Sequence, residues 1–409
     1  MNNYFMFDSL NILFLAIMAI VVLAVMIYQG KQSLKYNSIF TAFVLSMTGA
    51  ILSNNLGLMW VFVEATTLTS AYLIIHHKNK NSLEAAWKYT FICSIGISLA
   101  FVGIILLLLS TNEINSLNMQ VLYKNAALLN PFWLKLAFIF IVIGFGTKVG
   151  LAPVHSWLPD AHAEAPSPIS AMLSAALLNS AFLVILRVFK LMEIAGVAQT
   201  AKTMLIIMGL LSIFIAAIFI FKIGNYKRML AYSSIENMGI IALGIGLGGV
   251  AAFGAMLHLI AHSLIKCSLF LTSGNILKLY KTKEIAQVKA IAQKNKLTSW
   301  LWVLGAVLIV AIPPSPLFVT EFLMFKQMLV SQQYLMAAVF AILLTFIAFG
   351  IMSAVSKMAF DKTDKLEPEK LSFIKYFPQM VLIVLAMAFC FCMNEKFYGF
   401  ISEAVKCIY

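Results

Sequence analysis

The sequence predicts an all-α, polytopic membrane protein of about twelve transmembrane helices, built around two inverted five-helix repeats that each contain a broken helix. Three observations predict this. Of the 409 residues, 62% are hydrophobic and 11% are charged, whereas ordinary soluble domains are about a quarter charged. Apolar runs recur that are long enough to cross a bilayer, which takes about 20 residues each. Prolines interrupt two of these runs: Pro153 and Pro159 end the fifth, and Pro313, Pro314 and Pro316 divide the tenth.

The expected spans cover 9–29, 37–53, 56–76, 84–110, 131–152, 168–190, 202–222, 228–248, 250–272, 298–330, 333–358 and 373–393. The first follows Asn2, Asn3 and Asp8 rather than a basic segment, and no small-residue cleavage site comes after it. It reads as a retained helix and not as a signal peptide. Setting aside the first and last spans leaves two groups of five, with the proline-broken member fourth in each. An odd number of helices inverts the second group relative to the first. The expected organisation is therefore an N-terminal transmembrane helix (1–36), a first half-channel (37–190), a second half-channel (202–358), and a C-terminal helix with its tail (373–409). Inverted repeats with broken helices at matching positions mark many ion-coupled transporters. Backbone freed by a break is tolerated at membrane depth only beside protein or a water-filled cavity.

The net charge is +13. Nucleic acid is one reading of such a balance, but membrane proteins collect Lys and Arg in their cytoplasmic loops. Segments 31–35, 78–80, 222–228, 278–296 and 357–375 hold 18 basic residues, and the alternate loops hold six: Lys124, Arg187, Lys190, Lys202, Lys396 and Lys406. That bias puts the first set in the cytoplasm and both termini outside the cell. Cys93, Cys267, Cys390, Cys392 and Cys407 form no CxxC pair and read as small apolar fillers. No phosphate loop, nucleophile motif, haem pattern or iron–sulfur pattern is present. No catalytic residue and no cofactor are expected, so any redox chemistry belongs to a partner.

Charges inside the expected spans carry the functional signal, because each costs about 2.5–3.5 kcal/mol at the bilayer centre. Glu64 lies in the middle of span 3 and Lys148 just before the break in span 5. Such a pair is a tunable proton site, since the state of one group alters how readily the other releases its proton. The alternative is a static ion pair that pins two helices. His258, His262 and Lys266 recur at spacings of four along one face of span 9. Histidine passes protons near neutral pH. Two histidines four apart also suit a metal, but no third ligand is evident nearby, so none is expected. Glu321 follows the second break and is the candidate acid for the far end of the path, or else an exposed interfacial carboxylate. Glu236 near the start of span 8 suits either a place in the relay or an ion pair with Lys227 or Arg228. Arg187 and Lys190 read as anchors reaching for the membrane surface. His155, Asp160, His162 and Glu164 follow the first break, at what this topology makes the cytoplasmic mouth. They suit proton loading, capping of the next helix, or both; Asp160 suits a turn or cap.

The segment TKVGLAPVHSWLPDAHAEAPSPISAML resembles the signature of the antiporter-like subunits of respiratory complex I. That family also includes the large subunits of multi-subunit sodium/proton antiporters and membrane subunits of energy-converting NiFe hydrogenases. NYKRMLAYSSIENMG and HLIAHSLIKCSLFLTSGNIL are similar to its later helices, and the resemblance covers roughly residues 40–330. The segments SSIENMG, IIALGIGLG and PPSPLFVTEF are most similar to the hydrogenase-4 component F branch. The resemblance implies fourteen helices with two inverted repeats, a Glu–Lys pair matching Glu64 and Lys148, and a central polar line matching His258, His262 and Lys266. It also implies a terminal Lys or Glu on the second broken helix, matching Glu321. Two departures stand out. The family's first two helices have no counterpart among the twelve expected spans. Many members also carry a Lys after the first break where this chain has Asn179, whose amide hydrogen-bonds water but holds no proton at neutral pH.

The resulting expectation is a proton-translocating, antiporter-like membrane subunit of a redox-driven complex, with other membrane subunits and a peripheral hydrogenase-type or complex I-like arm as partners. The rival readings are a sodium/proton antiporter subunit without a redox partner, and a non-conducting membrane anchor of a hydrogenase. No long amphipathic arm is evident after residue 393, which suits a place within a row of subunits.

Overall fold

The structure, a computed structural model, describes residues 4–77, 79–111, 114–362, 367–391 and 394–409. Lys78, Lys365 and Cys392 lie outside the described residues. The helices are α1 (Ser9–Gln29), α2 (Leu34–Leu52), α3 (Leu56–Ile74), α4 (Lys80–Ser110), α5 (Met119–Lys124), α6 (Pro131–Val149), α7 (Trp157–Glu164), α8 (Ser167–Met172) and α9 (Leu178–Ile194). They continue as α10 (Ala198–Phe219), α11 (Tyr226–Leu247), α12 (Gly249–Tyr280), α13 (Ile291–Lys294), α14 (Lys296–Ile309), α15 (Pro316–Val330), α16 (Tyr334–Phe360), α17 (Phe377–Phe391) and α18 (Glu395–Lys406). A π-helical turn, Leu173–Leu177, joins α8 to α9. The described residues form no sheet, only three isolated bridges.

Each of the twelve expected spans is helical, and nine helices among the described residues are long and apolar enough to cross a membrane. Asparagine starts many of them. The side chains of Asn55, Asn79, Asn130, Asn225 and Asn295 each accept a hydrogen bond from a first-turn backbone N–H. The fifth span ends at Val149, where Gly150 adopts the left-handed conformation (φ +80°) that a glycine takes without strain. The tenth span is two helices, α14 and α15, and α15 restarts with Pro316 in its first turn.

The order of neighbours repeats along the chain. α2 packs on α3, α3 on α4, α4 on both α6 and α7, and α6 on α9. Further on, α10 packs on α11, α11 on α12, α12 on both α14 and α15, and α14 on α16. The closest crossing, α4 against α6, depends on missing side chains. A Cβ at Gly144 would lie 2.5 Å from the backbone N of Ala100, and one at Gly96 would lie 2.5 Å from the Thr147 side chain. The α8–α9 segment, α11 and α12 are the inner helices, whereas α3, α4 and α16 turn much of their surface outward. A helix apolar on all sides belongs at such a centre.

Two ties fix the frame around this centre. Ala152, in the first break, donates its backbone N–H to Ser212 Oγ of α10 at 2.8 Å. Arg187 is not a surface anchor, as the sequence suggested. It is 1% exposed and donates to both carboxylate oxygens of Asp8 at 2.7 and 2.8 Å, and to Asn11. Asn11 in turn donates to the Met6 and Ile51 carbonyls. The sequence could not show this partner because Asp8 lies 179 positions away. Burial pushes the Asp8 carboxyl up, but the Arg187 guanidinium outweighs it and holds the group below the usual carboxylate range.

Removing one partner of a buried ion pair leaves the other uncompensated, at about 3–5 kcal/mol. Asp8→Ala is expected to destabilise the chain by about that much near neutral pH, measured by thermal unfolding in detergent. A folded-state pKa below the unfolded one stabilises above the unfolded value, and that stability is lost as pH falls through the folded value. The gap between Asp8→Ala and wild type should therefore shrink in acid.

Candidate functional site

The first cluster is built on α3, α4 and α6. Glu64 and Thr67 sit one turn apart on α3, and the Thr67 hydroxyl donates to Glu64 Oε2 at 3.0 Å. Ser94 of α4 donates to the other oxygen, Oε1, at 2.9 Å. Lys148 occupies the last turn of α6 and is fully buried. Its Nζ donates to Thr67 Oγ1 at 2.9 Å and to Tyr89 OH at 2.5 Å, and lies 4.5 Å from the centre of the Tyr89 ring. The sequence paired Glu64 with Lys148, and the structure brings both to one site with Thr67 standing between them. Among the described residues they form no direct ion pair.

The break holds Lys148 in place. With α6 ended, the Thr147 carbonyl accepts from the Trp157 indole of α7 at 2.7 Å. The Gly146 carbonyl accepts from the Leu151 N–H at 2.9 Å. Freed carbonyls at membrane depth need such partners, and here protein supplies them.

The second cluster lies along α12. His258, His262 and Lys266 are all fully buried, as their spacing of four suggested. His258 joins three helices: Nε2 lies 3.0 Å from Asn237 Oδ1 of α11, and Nδ1 lies 2.8 Å from Thr320 Oγ1 of α15. Lys266 Nζ donates to the Leu230 carbonyl at 2.6 Å and to Ser233 Oγ at 2.8 Å, both on α11. Neither ring nitrogen of His262 has a protein partner. Glu236 faces the α12 cluster and does not pair with Lys227 or Arg228. Its electrostatic partner is Lys266, and Oε2 is without a hydrogen bond. Lys227 is buried and donates to the Ala165 carbonyl at 2.5 Å, while Arg228 pairs with Asp160 at 2.6 Å. Both basic residues sit in the first turn of α11 and meet the segment that follows the first break, Lys227 from a buried position and Arg228 from an exposed one.

Asn179 lies between the clusters. Its Nδ2 donates to Ser263 Oγ of α12 at 2.8 Å and to the Ala175 carbonyl at 2.9 Å, and Oδ1 has no partner. It lies two residues after the π-helical turn, a distortion common at functional positions. Glu321 is half-buried on α15, beside the Thr320 that holds His258. Glu236 of α11 is close enough to act on it electrostatically.

A cleft of about 660 Å³ opens beside the first break, lined by Asp160, Glu164, Arg228, Tyr232 and Glu284 among others. Asp160 bridges Arg228 and, at 3.4 Å, Lys88, so it is a link between α7, α4 and α11 and not merely a cap. Glu164 pairs with Lys283 at 2.8 Å. His155 is partly buried, its ring edge-on to Tyr232 at 6.4 Å. His162 goes deeper: it is fully buried, stacked on Phe270 of α12 at 4.8 Å, with no hydrogen-bond partner at either nitrogen.

Sequence reasoning missed Thr67, Tyr89, Ser94, Asn237 and Thr320. Thr67 was accessible, since i and i+3 share a helix face. The others are neutral groups whose role depends on which helix they meet.

Residues 53–348 match the family described as NADH:quinone oxidoreductase/Mrp antiporter, transmembrane. Over 405 residues the chain is 34% identical to a hydrogenase-4 component F homolog of Methylacidiphilum infernorum (isolate V4), covering 94% of this chain and 85% of that one. Its fold is similar to a chain of the membrane-bound sulfane sulfur reductase, an archaeal respiratory membrane complex, with a TM-score of 0.89, 24% identity, and 98% and 82% of the two chains covered. It is also similar to a chain of respiratory complex I from Thermus thermophilus, with a TM-score of 0.85, 19% identity, and 99% and 86% covered. The broken helices, the buried lysines and these likenesses agree: the chain belongs to the NADH:quinone oxidoreductase/Mrp antiporter transmembrane family, as an antiporter-like, multi-pass membrane subunit.

Proposed function

We propose that this subunit moves protons through two linked clusters, Glu64 with Lys148 and His258 with His262 and Lys266, and that Glu321 serves the far end. One observation carries the reading. Lys148 and Lys266 are fully buried, yet among the described residues neither is neutralised by a direct ion pair. Hydroxyls and a backbone carbonyl hold them instead. A carboxylate in direct contact would hold such a lysine charged, since buried charges are stabilised by pairing. Neutral acceptors serve an ammonium and let it become an amine, which a transport site requires. The unpartnered atoms of His162, His262, Asn179 and Glu236 favour water along the same line, because buried polar groups are rarely left without a partner. Asn179 then hands on water and not a proton.

In this reading the two packing units are inverted half-channels, residues 37–190 and 202–358. The cleft at Asp160 and Glu164 is the loading mouth, with His155 at its edge, and Glu321 borders the outlet. The basic bias of the loops supports a cytoplasmic mouth, both termini outside, and residence in the cytoplasmic membrane. The likeness to the hydrogenase-4 component F homolog supports a redox-driven complex of hydrogenase-4 or complex I type, whose peripheral arm does the electron chemistry. No cofactor is assigned to this chain.

Proton uptake by inverted membrane vesicles holding the assembled complex, followed with a pH-sensitive dye, tests the reading. Lys148→Ala and Lys266→Ala are each expected to slow uptake by about a hundred-fold, the low end for losing a positioned proton-transfer group. Unchanged uptake in both, at normal complex abundance, would favour a non-conducting anchor. Proton flux that needs sodium on the opposite side and no electron donor would identify the sodium/proton antiporter reading. For orientation, Lys281→Cys in a background without the native cysteines should react with an impermeant maleimide in inverted vesicles and not in intact cells. The reverse pattern inverts the topology.

A further inference from the structure

We propose that the Thr67 hydroxyl is itself a proton relay, the bridge through which Lys148 and Glu64 exchange a proton. This rests on the reading that those two residues carry the transported proton.

Donor and acceptor counting sets the direction. An ammonium only donates and a carboxylate only accepts, while a hydroxyl does both. Lys148 Nζ lies 2.9 Å from Thr67 Oγ1, and Thr67 Oγ1 lies 3.0 Å from Glu64 Oε2. Lys148 therefore donates to Thr67, and the single Thr67 hydrogen points to Glu64. The second Lys148 contact leads nowhere. Tyr89 OH accepts from Lys148 and lies 2.6 Å from Ser70 Oγ, whose own hydrogen goes to the Thr66 carbonyl at 2.5 Å. Tyr89 therefore donates to Ser70, and that chain ends on a peptide oxygen, which takes up no transferable proton. Among the described residues, Thr67 is the hydroxyl that touches both titratable groups.

The transfer balances. An N–H bond of Lys148 breaks as an O–H bond to Thr67 forms. The original Thr67 O–H bond breaks as an O–H bond to Glu64 Oε2 forms. The products are a neutral amine, a neutral carboxylic acid, and an intact threonine whose hydrogen now points to Lys148. The hydroxyl must rotate before it can pass a second proton the same way. The Val63 carbonyl, 3.5 Å from Oγ1, lies on that arc as a resting acceptor. Lys148 is fully buried and Glu64 half-buried, so the bridge joins the interior of the subunit to its edge.

The test drives proton flux with a potassium diffusion potential in inverted vesicles containing the complete complex, with complex abundance measured in parallel. Thr67→Val keeps the size and removes the hydroxyl. It is expected to slow flux by about a hundred-fold, whereas Thr67→Ser, which keeps the hydroxyl, should retain about half or more. Rescue by serine separates a relay from a packing role. Wild-type flux in Thr67→Val alongside impaired flux in Lys148→Ala overturns the bridge and leaves the site standing. Wild-type flux in Lys148→Ala overturns the site reading and the bridge with it. If the valine chain fails to accumulate, Thr67→Cys decides. A thiol is a weak donor and acceptor, so flux several-fold below Thr67→Ser is expected, and flux equal to it overturns the bridge.

Discussion

A lysine inside hydrocarbon has to be satisfied, and the first half of this protein is arranged so that neutral hydroxyls do it, which leaves the charge free to change as the proposed transport requires. Lys148 sits at the end of α6, where the helix stops. Its two acceptors come from different helices, Thr67 on α3 and Tyr89 on α4. Bringing three backbones close enough needs the near-contact of α4 and α6 at Gly96 and Gly144. Ending α6 there frees carbonyls, and Trp157 from the following helix takes up the one next to the lysine. The glycines, the break and the indole all serve one side chain. A carboxylate in direct contact would have been a stronger clamp and a poorer fit to the change of charge proposed for Lys148.

The second half meets the same demand with different parts. Lys266 lies mid-helix and not beside the second break, and it is held by a carbonyl and a serine of α11. The second break is reached through His258, whose two nitrogens are engaged by Asn237 and Thr320. Neutral amide and hydroxyl groups thus recur around the ionisable groups of both clusters. Asn179 fits this pattern, since its amide reaches Ser263 of α12.

Much of the fold was legible because the bilayer imposes a length and a composition. Charge scarcity, runs of about 20 residues and two proline clusters located the helices and both breaks. The ionisable residues were legible because the membrane makes each one conspicuous: Glu64, Lys148, His258, His262 and Lys266 all fall within the clusters. What escaped was contact. Arg187 looked like a surface anchor because nothing near it in sequence announces Asp8. The sequence offered Glu236 the basic pair more than two turns before it, yet that pair meets the segment after the first break while Glu236 lies further along α11, toward Lys266. Thr67 and Tyr89 carry no charge, so the rule that picks out costly residues passes over them.

The hydrogen bond from Ala152 to Ser212 has a mechanical consequence. It fastens the hinge that supports Lys148 to α10, a helix that packs with the opposite unit. The hinge cannot shift toward or away from the lysine without pulling on that neighbour or breaking the bond. Were the proposed transport to move the backbone beside Lys148, α10 would feel that movement through one peptide and one serine, a lever a few ångströms long.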